Sequence, residues 1–137
     1  MAIATIAPHA RHMEVLAAIS GIFATRSGQE QMLAAVLQEL EMALGMVRGT
    51  VMLLSTDGNE LLVGAAPGIP SADLEQLRYR RGEGIIGRVV QTGLPAVVPR
   101  VSEEPHFTNR IHKRREEEDV SFLCVPIILG SEVVGTL

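Results

Sequence analysis

The sequence predicts an α+β fold, in which helices pack on an antiparallel sheet. Helical periodicity fills the first third of the chain, and short apolar runs separated by turn residues fill the rest. Two of the turns, Asp57-Gly58-Asn59 and Gly130-Ser131, join consecutive apolar runs and therefore favour β-hairpins. Hairpin strands are antiparallel, so the pattern argues against a parallel sheet with crossover helices.

The composition is that of a single globular domain with an aliphatic core. The chain has 137 residues, of which 47% are apolar and only 3% aromatic, without any Trp. The net charge is −4, whereas direct binding of nucleic acid needs clustered positive charge. The single cysteine, Cys124, excludes an internal disulfide and fits a reducing compartment. The sequence shows no signal peptide and no apolar run near the ~20 residues that span a bilayer, so we expect no membrane association and a cytoplasmic location.

Two helices are predicted after a flexible tail at residues 1–12. Apolar residues recur at helical spacing over residues 11–25. The sequence Ser27-Gly28-Gln29-Glu30 has the pattern of a capping box and predicts the start of a second helix. That helix runs to Leu44 and stops at Gly45. Helices joined by so short a link either pack side by side or continue as one bent rod.

The remaining elements are short. Strands are predicted at Gly49–Ser55, Glu60–Ala66, Ala96–Val98, Val120–Leu129 and Glu132–Leu137. Short helices are predicted after Ser71 as the capping residue, at Val89 and Val90, and around Phe107–Lys113. The chain stops inside an apolar strand, and we therefore expect residues 13–137 to be a C-terminally truncated domain.

Three glycines, Gly82, Gly84 and Gly87, have the spacing G-x-G-x-x-G, which allows two interpretations. Dinucleotide binding requires a buried strand immediately before the first glycine, within a βαβ unit. The segment before Gly82 is charged instead, and the acidic residues Glu103 and Glu104 lie in a polar run rather than at a strand end. The glycines therefore favour a tight turn that opens a helix, where exposed amide groups can also bind an anion.

Four stretches of the sequence resemble one known domain family. The matching residues are Arg80–Val90, Gly93–Pro99, Glu104-Pro105-His106-Phe107-Thr108-Asn109-Arg110 and Ser121-Phe122-Leu123-Cys124-Val125-Pro126-Ile127. Over roughly residues 13–137 the chain is similar to the N-terminal GAF domain of Nif-specific (nitrogen-fixation), sigma-54-dependent transcriptional activators. The resemblance implies a profilin-like five-stranded antiparallel sheet of order 2-1-5-4-3 with helices on both faces. It also implies that the last strand is central and that the closing C-terminal helix is absent.

The resemblance implies a regulatory domain that is not an enzyme. In such activators the GAF domain controls an AAA+ ATPase and a DNA-binding helix-turn-helix, and this chain has neither a G-x-x-x-x-G-K-[ST] motif nor a basic recognition helix. The implied signal is a small anion such as 2-oxoglutarate, a PII-type protein or an anti-activator. The alternative is an interaction and dimerisation module without any small ligand. A methionine-sulfoxide reductase is disfavoured because that chemistry needs several cysteines.

The resemblance also bears on assembly. Without the family's closing helix, the first two helices would lack a packing partner. An exposed aliphatic stripe on these helices would favour a second subunit. We therefore expect a homodimer through the N-terminal helices.

Arginines supply the first candidates for ligand binding, because a guanidinium binds a carboxylate in bidentate geometry. Arg88 and Arg100 rank first, since they lie beside the glycine turn and the following strand. The full predicted ligand-binding set is Arg88, Arg100, Gly84, His106, Arg110 and Ser121.

Other chemistry-bearing residues lead to no predicted catalytic site, cofactor or metal. His106 and His112 are not at a metal-ligand spacing, and no Ser/His/Asp arrangement is visible. Cys124 lies within an apolar strand and is predicted to be a small buried hydrophobe. The charged run His112–Asp119 predicts a solvated loop. The functional alternative is a docking face, or a lid over the pocket that would bind the small ligand.

Overall fold

The computed structural model describes residues 8–25, 27–108 and 120–137. The chain divides into two compact units, Met1–Gly49 and Thr50–Leu137. Among the described residues, those of the first unit form two helices, and those of the second unit form the strands and two further α-helices.

Helices α1 (Pro8–Phe23) and α2 (Gln29–Leu44) contact each other within the first unit. Helix α1 begins earlier than predicted, so residues 8–12 are helical and not part of a flexible tail; residues 1–7 lie outside the described part. Helix α2 ends as predicted, because Gly45 adopts a φ of 68° and donates its N–H to the Glu41 carbonyl.

The predicted capping box before α2 was wrong. Gly28 occupies the N-cap position and makes no side-chain capping bond. The Ser27 hydroxyl instead lies 2.9 Å from the Thr25 hydroxyl, so it is engaged with the preceding segment. The predicted cap at Ser71 was also wrong. Pro70 is the N-cap residue of the helix that follows, and its carbonyl accepts the Asp73 N–H.

The first hairpin of the second unit agrees with the sequence. Strands β1 (Val51–Leu54) and β2 (Glu60–Ala65) pair antiparallel, and Gly58 in the turn has a φ of 73°. The Asp57 carboxylate accepts hydrogen bonds from the Ser55 hydroxyl and from both the backbone and the side chain of Asn59. These bonds lower the pKa of Asp57, so the turn is held by a charged acceptor as well as by glycine.

The elements after the hairpin are short, and most match the predicted positions. They are α3 (Ser71–Leu74), β3 (Tyr79–Arg80), α4 (Gly84–Thr92), β4 (Ala96–Val98), a 3₁₀ turn (Val101–Glu103), β5 (Phe122–Cys124), β6 (Pro126–Leu129) and β7 (Glu132–Thr136). Strand β3 and the 3₁₀ turn were not predicted. Of the helix expected around Phe107–Lys113, residues 107 and 108 are not helical and the others lie outside the described residues.

The predicted strand Val120–Leu129 is two strands that pair with different partners. Strand β5 pairs antiparallel with β4, whereas β6 pairs antiparallel with β7. Pro126 follows the break, and since proline has no N–H it cannot donate to a ladder. Val125 lies between β5 and β6 and exchanges backbone hydrogen bonds of 2.8 and 2.9 Å with Leu137.

Among the described residues, the strands form a five-stranded sheet of order β3-β2-β1-β7-β6 and a two-stranded sheet of β4 and β5. When β5 and β6 are counted as the one predicted strand, this connectivity contains the predicted order 2-1-5-4-3, with β3 added at the far edge. The α+β class and the antiparallel pairing are confirmed. Strand β7 is internal, as predicted, with β1 and β6 as its neighbours.

Two hydrophobic clusters form the core of the second unit. The first cluster is built around Met52, Leu61, Leu77, Tyr79 and Val90. The second is built around Ile85, Val89, Val98, Val101 and Cys124. Helix α4 contributes to both, and its Ile86 packs against each of them. The packing of both clusters therefore depends on the position of α4.

Candidate functional site

The glycine turn between β3 and α4 has a geometry that side chains would prevent. Gly82 and Gly84 have φ values of 83° and 61°, in the left-handed region that favours glycine. A Cβ on Gly87 would lie 2.4 Å from the Arg80 carbonyl oxygen and 2.9 Å from the Gly82 nitrogen. The Gly82 N–H also donates to the Gly87 carbonyl over 2.9 Å. The first two glycines thus provide backbone conformation, and the third provides space.

Glu83 closes the free edge of β3. Its carboxylate Oε2 accepts the Arg80 N–H at 2.7 Å, and its own N–H donates to the Arg80 carbonyl at 3.0 Å. Arg80 is the last residue of β3, which pairs with β2 on its other side. An edge strand with open N–H and C=O groups can pair with another chain. Glu83 satisfies both outward groups of Arg80 and prevents that pairing.

Apolar side chains fill the space beneath α4. Ile85 and Val89 pack with Val98, Val101 and Cys124, which are all at most 9% exposed. Partly buried Phe107 and Phe122 complete this cluster, with ring centroids 5.4 Å apart in an edge-to-face arrangement. The space between α4 and the strands β4 and β5 thus holds an apolar cluster of described residues.

Cys124 is buried, as predicted, and is chemically quiet. It is 2% exposed, and its burial raises the pKa of the thiol to about 11. A hydrogen bond with the Thr136 hydroxyl opposes this shift in part. Only the thiolate is an effective nucleophile, so this thiol stays protonated and unreactive at neutral pH. The sequence did not identify Thr136 as its partner, because the two residues are brought together by strands β5 and β7.

The predicted ligand-binding residues are mostly at the surface. Arg88, His106 and Ser121 are exposed. Arg100 is exposed as well and lies 3.5 Å from the Glu103 carboxylate. Arg110 lies outside the described residues. The six residues as a binding set stay a prediction.

Two members of the predicted set are brought together by the fold. A Cβ on Gly84 would lie 3.5 Å from both the His106 carbonyl oxygen and the Thr108 hydroxyl. The segment around His106 therefore covers the start of α4. The backbone of His106 is held in turn by the Glu104 carboxylate, which accepts its N–H at 3.1 Å.

The sequence interpretation did not group the arginines beside β3 into a site. Arg78, Arg80 and Arg81 line an open groove of about 700 Å³ together with Glu60, Glu75 and Glu83. Tyr79 between them is 5% exposed, while the arginines on either side are exposed. A buried aromatic residue between two exposed charges is the alternation of a half-buried strand, but a run of three residues is too short for the sequence to reveal β3.

Two other features are absent from the part of the chain that the structure describes. Over this part of the chain, no three His, Cys, Asp or Glu side chains are grouped so that they could hold a metal ion. No helix formed by these residues combines the length and apolarity needed to cross a membrane.

Comparison with known proteins places this architecture in a family. The family model described as GAF domain matches residues 29–137. A Nif-specific regulatory protein of Azospirillum lipoferum is 41% identical over 121 residues, which cover 87% of this chain and 19% of that protein. The nitrogen fixation protein VnfA of Azotobacter vinelandii is 37% identical over 118 residues, which cover 83% of this chain and 23% of that protein.

A solved structure agrees with these relatives. The A. aeolicus nlh2 GAF domain in an inactive state superposes with a TM-score of 0.78 at 27% identity, covering 92% of this chain and 76% of that one. The chain spans about a fifth of the length of the two relatives named above. The family model matches residues 29–137, and the fold agrees with that of a solved GAF domain. The chain therefore belongs to the GAF domain family.

Proposed function

We propose that this chain is the regulatory domain of a cytoplasmic transcriptional activator of nitrogen fixation and that it works through protein contacts. Its similarity to Nif-specific regulatory proteins supports the regulatory role. Such a domain would control the ATPase and DNA-binding domains of the whole protein. The buried, protonated Cys124 supports a role without catalysis, because thiol chemistry needs an accessible thiolate.

The observation that carries the proposal is an apolar stripe on α1. Met13, Leu16 and Phe23 are 65%, 59% and 56% exposed. They follow the three-and-four spacing that places residues on one side of a helix, and Ser20 falls at the intervening position. Val15, which is 7% exposed, lies on a different side of the same helix. Exposed apolar helix stripes commonly mark contacts with another protein, and the stripe fits a homodimer through α1.

Sedimentation velocity tests the dimer. The unaltered chain should sediment as a dimer, and the variant Leu16→Glu/Phe23→Glu should sediment as a monomer, because the added carboxylates would be buried in the interface. Both side chains are exposed in the single chain, so the helix should persist, and circular dichroism checks this. Ala72→Glu, which adds a charge on the exposed first turn of α3, is the control and should leave the dimer intact. A monomeric unaltered chain at all concentrations would refute the proposal.

The proximity of Gly84 and His106 supports a second candidate, a sensor of a small anion such as 2-oxoglutarate. Helix N-termini bind anions through their amide groups, and α4 begins at Gly84. The predicted side chains for this role are those of Arg88, Arg100, His106, Arg110 and Ser121. A PII-type protein or an anti-activator could act on the same face.

Titration calorimetry with 2-oxoglutarate tests the sensor. Saturable binding that is lost in Arg88→Ala or Arg100→Ala, and retained in the exposed control Arg48→Ala, would support it. Absence of saturable heat would leave the protein-contact role as the better explanation. So would binding that the two arginine variants leave unchanged.

A further inference from the structure

The groove beside β3 is a charged surface that neither the dimer nor the sensor uses. It has a volume of about 700 Å³ and is lined by Arg78, Arg80 and Arg81 with three glutamates. We call it the arginine groove, and define it by these three arginines with Glu60, Glu75 and Glu83. Three guanidinium groups lie within four residues here, and the three carboxylates of the same groove balance them in formal charge.

The glutamates of the groove are in part already engaged. The Glu60 carboxylate lies 3.8 Å from Arg78. The Glu83 carboxylate accepts the backbone N–H of Arg80. Within residues 8–25, 27–108 and 120–137, neither Arg80 nor Arg81 makes an ion pair. Both are exposed, so their charges are available to a partner.

The backbone of β3 does not offer a second route of recognition. Both outward groups of Arg80 are satisfied by Glu83, and the Arg81 N–H donates to the Asn59 carbonyl at 3.1 Å. A partner therefore cannot bind here by adding a strand to the sheet. Recognition at the arginine groove must come from the arginine side chains.

We propose that the arginine groove binds an acidic segment of a partner protein. Arginine binds carboxylates in bidentate geometry, which fits Asp and Glu side chains. An exposed ion pair contributes little by itself, so an open groove would hold a single small anion only weakly. A segment carrying several carboxylates can engage both available arginines at once, so that the contributions of the two ion pairs to the binding free energy add. This inference rests on the proposed function in that a regulatory domain meets partner proteins, but the groove and α1 consist of different residues and either can fail alone.

Fluorescence anisotropy with a labelled eight-residue polyglutamate peptide tests the proposal. The unaltered chain should bind it saturably at low salt, and binding should weaken as salt rises to about the physiological level, because exposed charges are screened there. Arg80→Gln/Arg81→Gln should weaken binding about tenfold, since two exposed pairs are lost. Both residues are exposed, and the change keeps their polar character, so folding should be unaffected.

Arg11→Gln/Arg48→Gln removes the same charge from exposed positions outside the groove and should bind like the unaltered chain. Equal weakening by the two double variants would overturn the proposal, because binding would then follow net charge. Failure of the unaltered chain to bind the peptide would overturn it too. Tight binding of inorganic phosphate that depends on Arg80 and Arg81 would overturn it by making the groove a small-anion site. A monomeric Leu16→Glu/Phe23→Glu chain should still bind the peptide, which separates this test from that of the dimer.

Discussion

Replacing Gly87 with alanine should destabilise the second unit, although helix propensity alone predicts that it would stabilise α4. Alanine is the better helix former by about 1 kcal/mol, and Gly87 lies inside α4. Yet a Cβ at this position would be 2.4 Å from the Arg80 carbonyl oxygen. Real Cβ atoms essentially never lie within 3.0 Å of another heavy atom, so either β3 or α4 must move by at least the difference, 0.6 Å.

That movement disturbs a defined set of interactions. The Arg80 carbonyl accepts the Glu83 N–H at 3.0 Å, and the Gly87 carbonyl accepts the Gly82 N–H at 2.9 Å. Two weakened hydrogen bonds cost about 1–3 kcal/mol together, and overpacking costs about 1–3 kcal/mol. After subtracting about 1 kcal/mol for the gain in helix propensity, we expect a net loss of about 1–5 kcal/mol.

Urea denaturation measured by tyrosine fluorescence is the assay. Tyr79 is the only tyrosine, the chain has no tryptophan, and Tyr79 lies buried in the second unit. Gly21→Ala in α1 is the matched control, because its Cβ would meet nothing within 4 Å, and it should stabilise the helix by up to about 1 kcal/mol. A Gly87→Ala midpoint equal to that of the unaltered chain would refute the argument from close approach.

Two further predictions concern Cys124 and Glu83. The folded pKa of Cys124 is raised to about 11 from 9.0, so the unfolded chain loses the thiol proton first and stability should fall as pH rises from about 9 to 11. Denaturation of Cys124→Ala over the same range should lack this component, and a parallel decline in both proteins would contradict it. Glu83→Ala removes the acceptor of the Arg80 N–H and should cost about 1 kcal/mol. Hydrogen exchange at the Arg80 amide should accelerate about fivefold, and unchanged protection would mean that Glu83 does not close the edge.

The parts of the fold that follow local rules could be predicted from the sequence. The hairpin at Asp57-Gly58-Asn59 and the helix stop at Gly45 depend on a left-handed φ that the sequence marks with glycine. The resemblance to a known family then supplied the strand order. Burial of Cys124 also followed from its place in an apolar run.

The errors arose where a contact that the sequence pattern does not reveal decides between local alternatives. Ser27 has the right spacing for a cap, but its hydroxyl is engaged with Thr25. The apolar run from Val120 looks continuous, yet it divides before Pro126 because its two halves pair with different strands. Strand β3 is two residues long, too short for periodicity to detect. The arginine groove depends on β3, so it could not be found from the sequence without that strand.

The spacing of the three glycines reflects two backbone requirements that this turn has in common with a nucleotide-binding turn. Both turns need left-handed backbone before a helix and a close approach at its first turn. In this chain the group that approaches Gly87 is the carbonyl of Arg80, and the amide of Gly82 is used by the carbonyl of Gly87. Because the space at Gly87 and the N–H of Gly82 are both occupied by backbone groups of the turn itself, the turn anchors α4 to β3. Because α4 contributes to both hydrophobic clusters, a change at this anchor would reach each of them, and the same spacing that elsewhere admits a phosphate serves here to fix the core.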